Sequence, residues 1–318
     1  MGKLHLILGA LFALAALASG PWSAVAQEAS STGVPVHVVV TVEPRHGSNV
    51  PVINREDVMV YQGHDRAKVT DWIALQGEHA GLQLFVLIDD AASSSLGSQL
   101  EDIRQFINAQ PSTTAIGVAY MRNGTAEILQ NPTNDHAQGA KALRLPLGDP
   151  GASTSPYFSL VDLIKRWPEV PVRREILMLS DGIDRFGDSG PSNPYVDSAI
   201  EEAQRAGIII YSIYTPGVGH FGHSFWRMNW GQNYLSQISD ETGGESYYLG
   251  FGAPVSFAPY LDDLSHRLTR QYLLTFLTRP ERKAGFQQVK LRTEVPNAEL
   301  VAADRVYVPA GMPVRPAP

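Results

Sequence analysis

From residue 81 to about residue 266 this chain alternates short, unbroken apolar runs with stretches of helical period. Few architectures accept such a pattern. The runs at 83–88, 115–120, 175–179 and 208–214 read as strands, and the stretches at 96–109, 158–167, 195–206, 234–242 and 256–270 read as helices. A strand that is apolar on both sides is buried on both faces, the habit of parallel strands covered by helices above and below. The expected fold class is therefore α/β, with a doubly wound, mostly parallel sheet over residues 80–270. Asn123-Gly124, between two strand-like runs, is a two-residue hairpin signal and predicts one antiparallel edge strand. The same residues begin an Asn-x-Thr acceptor, for which the turn is a sufficient explanation.

The flanks have a different texture. Residues 36–42, 58–61 and 68–72 are short, branched and strand-like, as are 271–277, 286–295 and 300–308. Three strands at either end cannot cover their own apolar faces, so the segments 27–79 and 271–309 are expected to build one small β-sandwich together. Residues 1–26, with Lys3, an apolar stretch from Leu4 to Ala18 and Ala24-Val25-Ala26, have the form of a cleaved secretory leader. That stretch is shorter than the ~20 residues of a membrane span. The Pro-rich end, 310–318, is expected to be a disordered tail. A secreted or periplasmic protein follows from the leader.

Composition narrows the function classes. The chain has no cysteine, which excludes a disulfide framework, a thiolate metal site, a cysteine nucleophile and a lipoprotein anchor. The formal charge is −7, and runs of adjacent Lys or Arg are no longer than pairs such as Arg173-Arg174. Nucleic acid and anionic lipid are poor partners for such a surface. A cationic partner, or a bridging metal, suits it better.

In a doubly wound sheet, ligands sit outside the carboxyl ends of the strands. Three segments bring oxygen donors there: Asp89 and Ser93 after the first strand, the 151–155 loop with Thr154, and Ser180-Asp181-Gly182. Asp89-x-Ala91-x-Ser93, Thr154 and Ser180-Asp181-Gly182, taken in order, resemble the metal-ion-dependent adhesion site of von Willebrand factor A domains. Together with Gln271-Tyr272-Leu273-Leu274 and the β-rich ends, they resemble more narrowly the VWFA-related family first described from acidobacteria. The resemblance implies a Mg²⁺ site (or Mn²⁺ or Ca²⁺) with Ser93 and Thr154 as direct ligands and Asp89 and Asp181 acting directly or through water. One position of the shell would stay open for an acidic side chain of a protein partner. Ala91 stands where the family has its first motif serine, which implies a weaker site with water in the hydroxyl's place. Phe158 stands where relatives commonly carry an acid. Without metal, Asp89 and Asp181 serve simply as helix N-caps.

The stretch 217–230 follows the strand 208–214 and should share the face of the metal site. Its Phe221, Phe225, Trp226 and Trp230 are expected to contact a protein partner, the alternative being that they pack on the domain's own flank. His220 and His223 have a zinc-compatible spacing but lack a third ligand nearby in sequence. Ser93, Ser94 and Ser95 lie outside any G-x-S-x-G elbow, and Asp89-Asp90-Ala91 is not the Asp-x-Asp of phosphoryl transfer. Asp184 and Asp188 are expected in a solvated loop. The sequence thus predicts a non-enzymatic, adhesion-type binding protein. The alternative is a metal-independent structural or assembly component of the cell envelope with a vestigial metal site.

Overall fold

A computed structural model describes residues 33–149, 155–187, 190–218, 224–248, 250, 252, 254–279 and 283–310. Residues 1–26, expected as a leader, residues 311–318 of the expected tail, Thr154, Asp188, His220, Phe221 and His223 lie outside the described residues. The fold is mixed α/β. The chain begins with β1 (Val34–Pro44), β2 (Met59–Gln62) and β3 (Asp65–Ala74). The alternating region then runs β4 (Leu82–Asp89), α1 (Leu100–Ala109), β5 (Thr114–Arg122), β6 (Thr125–Thr133), α2 (His136–Lys141) and α3 (Pro156–Arg166). It continues with β7 (Arg173–Ser180), α4 (Pro194–Ala206), β8 (Ile208–Tyr214), α5 (Phe225–Thr242), β9 (Ser246–Tyr247) and α6 (Ala258–Thr269). The chain closes with β10 (Gln271–Thr278), β11 (Gly285–Gln288), β12 (Lys290–Arg292), β13 (Ala298–Val301) and β14 (Arg305–Val308).

The α/β sheet has the order β6-β5-β4-β7-β8-β9. β4 pairs in parallel with both β5 and β7, β8 joins β7 in parallel, and only β6 runs antiparallel. The β5–β6 turn is made by Asn123 and Gly124, both at positive φ, as a primed hairpin turn requires. Successive side chains of a strand face opposite sides. Leu84, Val86 and Ile88 accordingly enter a core with Ile103 and Phe106 of α1 and Leu261 and Leu264 of α6. Phe85 and Leu87 enter a second core with Leu160 of α3, Val196 and Ile200 of α4 and Leu235 of α5. The sheet therefore carries helices on both faces. Because β5 lies on one side of β4 and β7 on the other, the chain reverses its direction of travel between β4 and β7. That switch opens a crevice at their carboxyl ends.

The two chain ends combine in a six-stranded antiparallel sheet of order β12-β2-β3-β10-β1-β13. β10 is its hinge, paired with β1 from Val34↔Thr278 to Thr41↔Gln271 and with β3 on its other edge. Trp72 and Tyr272 stack across the β3–β10 pair at 4.4 Å. Where the sequence predicts a sandwich from three strands at each end, the strands form this sheet and a two-stranded β11–β14 ribbon, whose Val306 and Val308 share a buried core with Val36 and Val40 of β1 and Leu274 and Phe276 of β10. The runs 286–295 and 300–308 each divide in two: β11 pairs with β14, a ladder that the Val289 N–H extends to Asp304 O at 2.9 Å, whereas β12 pairs with β2 and β13 with β1.

Candidate functional site at the carboxyl ends of β4 and β7

Asp89 closes β4 and Ser180 closes β7, so their side chains arrive in the crevice from adjacent strands. Each oxygen of the Asp89 carboxylate accepts one protein donor. Oδ1 accepts the Ala91 backbone N–H at 2.8 Å, and Oδ2 accepts the Ser180 hydroxyl at 2.7 Å. Ser180 Oγ accepts in turn the Gly182 N–H at 3.0 Å. Burial, and then the neighbouring Asp181 charge, push the Asp89 carboxyl up to about 6, against the smaller opposing pull of Arg185.

Asp181, the next residue, is paired within the chain. Its Oδ1 accepts the Ile183 N–H at 2.9 Å and Arg185 Nη1 at 3.2 Å, while Oδ2 is bound by Arg185 Nη2. The pair is almost sealed from water, with 6% of the Arg185 side chain and 1% of the Asp181 side chain exposed. Burial alone would lower the Arg185 guanidinium, but the charges of Asp181 and Asp89 outweigh it and hold it above its ordinary range.

The loop after β8 roofs this pair. Ser93 N–H donates to Pro216 O at 2.9 Å, Val218 N–H donates to Ala91 O at 2.8 Å, and Ala92 bridges Gly217. A Cβ on Gly217 would lie within van der Waals contact of Asp181 Oδ2 and 2.6 Å from Arg185 Nη2. Only hydrogen fits there. A second close approach joins Gly182 to Gly231 of α5. Gly182 has φ +66°, and a Cβ on either glycine would run into the other segment's backbone.

Of the predicted ligands, the structure brings Asp89 and Asp181 together and bridges Ser180 to the former. Ser93 is half-buried, and its hydroxyl accepts Ser95 N–H at 3.3 Å as the N-cap of a 3-10 turn. A magnesium ion needs an octahedron of oxygens at about 2.1 Å. The described donors do not assemble one: both Asp181 oxygens face a guanidinium, each Asp89 oxygen holds one protein donor, and Ala91 contributes an N–H in place of a hydroxyl, while Thr154, the other expected direct ligand, lies outside the described residues.

Arg185 is the residue of this candidate site that sequence reasoning missed. Its one signal was a lone cation four residues after Asp181 in Asp181-Gly182-Ile183-Asp184-Arg185. Asp184, expected in solvent, is buried. Its carboxylate accepts Phe186 N–H at 2.9 Å and Asn193 Nδ2 at 2.8 Å, which folds the loop back on itself. Asp90, also buried, is held by both Nη atoms of Arg144 at 2.6 and 2.8 Å, with Arg144 lying over the Tyr120 ring. Phe158, where an acid was the family's habit, packs edge-on against Phe186 and Tyr195.

The aromatic segment also differs from expectation. α5 begins at Phe225, nine residues before the predicted helix start at 234, so Phe225, Trp226 and Trp230 lie on a helix rather than in a loop. Phe225 and Trp226 stand 56% and 66% exposed and meet edge-on at 5.5 Å. Trp230, one turn on, packs against the core shared by α3, α4 and α5. It takes the flank-packing alternative.

The fold is similar to that of von Willebrand A domains. A von Willebrand factor type A protein from Catenulispora acidiphila aligns at 9% identity and a TM-score of 0.45, over 88% of this chain and 75% of that one. BatB from Bacteroides thetaiotaomicron aligns at 12% and 0.43, over 59% and 98%. The vWF domain of the pilus tip protein Mfa5 from Porphyromonas gingivalis aligns at 13% and 0.39, over 58% and 94%. No family model matches the sequence, and no curated protein matches it. At these identities the likeness concerns fold alone.

Proposed function

We propose that this chain is a non-enzymatic binding protein of the von Willebrand A type, exported to the envelope or beyond. It meets a protein partner with the Phe225–Trp226 end of α5. The observation that carries this reading is the exposure of two large aromatics side by side, 56% and 66%, on the helix that packs on the Asp181–Gly182 turn. Large aromatics left in water are unfavourable for a monomer and are enriched at recognition hot spots. Among the described residues no helix is long and apolar enough to cross a membrane, and the leader-like residues 1–26 support export. A Mg²⁺-bridged acidic side chain of the partner is not carried into the reading, because the described donors do not fit the ion. Recognition is by apolar contact.

The test is affinity capture from envelope and culture fluid of the producing cells, with wild-type chain and the Phe225→Ser/Trp226→Ser variant, each with and without EDTA. A protein retained by wild type and lost by at least about tenfold in the double variant supports the aromatic surface. Equal retention by both would sink it. Retention that vanishes in EDTA would restore the cation-bridged form.

A further inference from the structure

The Asp181–Arg185 pair has a geometry that an ordinary surface ion pair lacks. Two guanidinium nitrogens address the two oxygens of a single carboxylate, the arrangement in which arginine binds most strongly. Its surroundings are those of a cation site: Asp89 closes the neighbouring strand β4, and its Oδ2 accepts the hydroxyl of Ser180, the residue next to Asp181, at 2.7 Å. The backbone at Gly217 lies directly over Asp181 Oδ2 and Arg185 Nη2, with no room for a methyl group. The residue that would have offered a first hydroxyl to a metal is Ala91, and its N–H binds Asp89 instead.

We infer that Arg185 is the resident cation of this crevice, its guanidinium seated on Asp181 under Gly217 where the resemblance would put a divalent ion. The positive charge at the carboxyl end of β7 is thus covalently part of the chain. A buried carboxylate pair without a counter-ion would be strongly destabilising. A metal satisfies it only while the metal is available, whereas a side chain does so always. The guanidinium also carries one charge spread over a plane, so no open coordination position remains for a partner's carboxylate. Metal and Arg185 compete for the same oxygens of Asp181, and removing one is the condition for the other.

The experiment uses the full chain, with Mn²⁺ as probe, followed by calorimetry and by thermal melts in Mn²⁺ and in EDTA. Wild type is expected to give no binding heat and superposable melts. Arg185→Met/Ala91→Ser is expected to melt several degrees below wild type in EDTA, to bind Mn²⁺, and to recover much of that loss when Mn²⁺ is added. Mn²⁺ binding by wild type, with a midpoint that falls in EDTA, would overturn the inference. So would a folded double variant, judged by circular dichroism, that takes up no Mn²⁺. If the double variant does not fold, the wild-type melts decide: coincidence upholds the inference, and a chelator-dependent midpoint overturns it.

Discussion

The hydrogen atom of Gly217 is what lets the β8 loop pass over Asp181 and Arg185. Gly217→Ala should therefore destabilise by roughly 1–3 kcal/mol, the usual cost of forcing a group into filled space. Gly285→Ala, where a Cβ meets nothing within 4 Å, is the control. Urea denaturation of the two variants checks the difference. Glu175 makes a second prediction. Burial pushes its carboxyl from 4.5 up to about 6, against the opposing charge of Arg173, whose Nε stands 3.5 Å away, and against Gln271 and Tyr211. A carboxyl raised by folding favours the native state below its unfolded pKa, and this advantage fades as pH rises through the folded value. Stability should consequently fall between about pH 4.5 and pH 7, with Glu175 contributing on the order of 2 kcal/mol. Asp89, raised from 3.8 to about 6, adds a like trend that begins nearer pH 4. Glu175→Gln should flatten the melting temperature across that range in part, the remainder belonging to Asp89. A slope unchanged from wild type would exclude Glu175 as its source.

At the scale of elements, the segment 143–149 is tied to the crest by Arg144. The tie consists of both nitrogens on buried Asp90, with Leu147 N–H on Asp90 Oδ1 at 3.2 Å and Asp149 N–H on Asp90 O at 3.1 Å. Removing one partner of a buried pair leaves the other unpaired, at a cost of about 3–5 kcal/mol. Arg144 is itself 28% exposed, which places Arg144→Ala near the lower end. In a double-mutant cycle with Asp90→Asn, the second substitution should add much less than it costs alone. What sequence could disclose is also clearest at this scale. The run 84–88 announced a buried parallel strand because its residues serve two cores at once, so no alternation was possible. The first turns of α5 were illegible because Trp226-Arg227-Met228-Asn229 shows no apolar period, and Gly231, a poor helix former, is there for the Gly182 contact. α2 was missed because six residues carry too little pattern. The acids Asp89 and Asp181 stood out by their position after strands, whereas Arg185 did not, since the destination of a long side chain is set by tertiary structure.

For the whole molecule, β10 is the element that makes one body of two textures. It leaves α6 directly, Gln271 Nε2 lies 3.1 Å from the Tyr211 hydroxyl of β8, and both long edges of β10 are covered by strands from before residue 80. Arg267 and Arg270 reach Glu43 of β1 at 3.5 and 3.6 Å. A chain lacking residues 33–79 would expose both edges of β10 together with Leu274 and Phe276, which are otherwise buried. Such a truncation is expected to aggregate, because unpaired apolar edges recruit further strands. Size-exclusion chromatography of the truncated chain, alone and co-expressed with 33–79, checks this: co-expression should restore a discrete species. The pairing of Val34 with Thr278 also has a consequence in time. At ribosomal rates of about 5–20 residues per second, β1 emerges roughly ten to fifty seconds before the strand it needs. During that interval the apolar run Val38-Val39-Val40 has no partner, and the newborn chain depends on whatever holds it in the meantime.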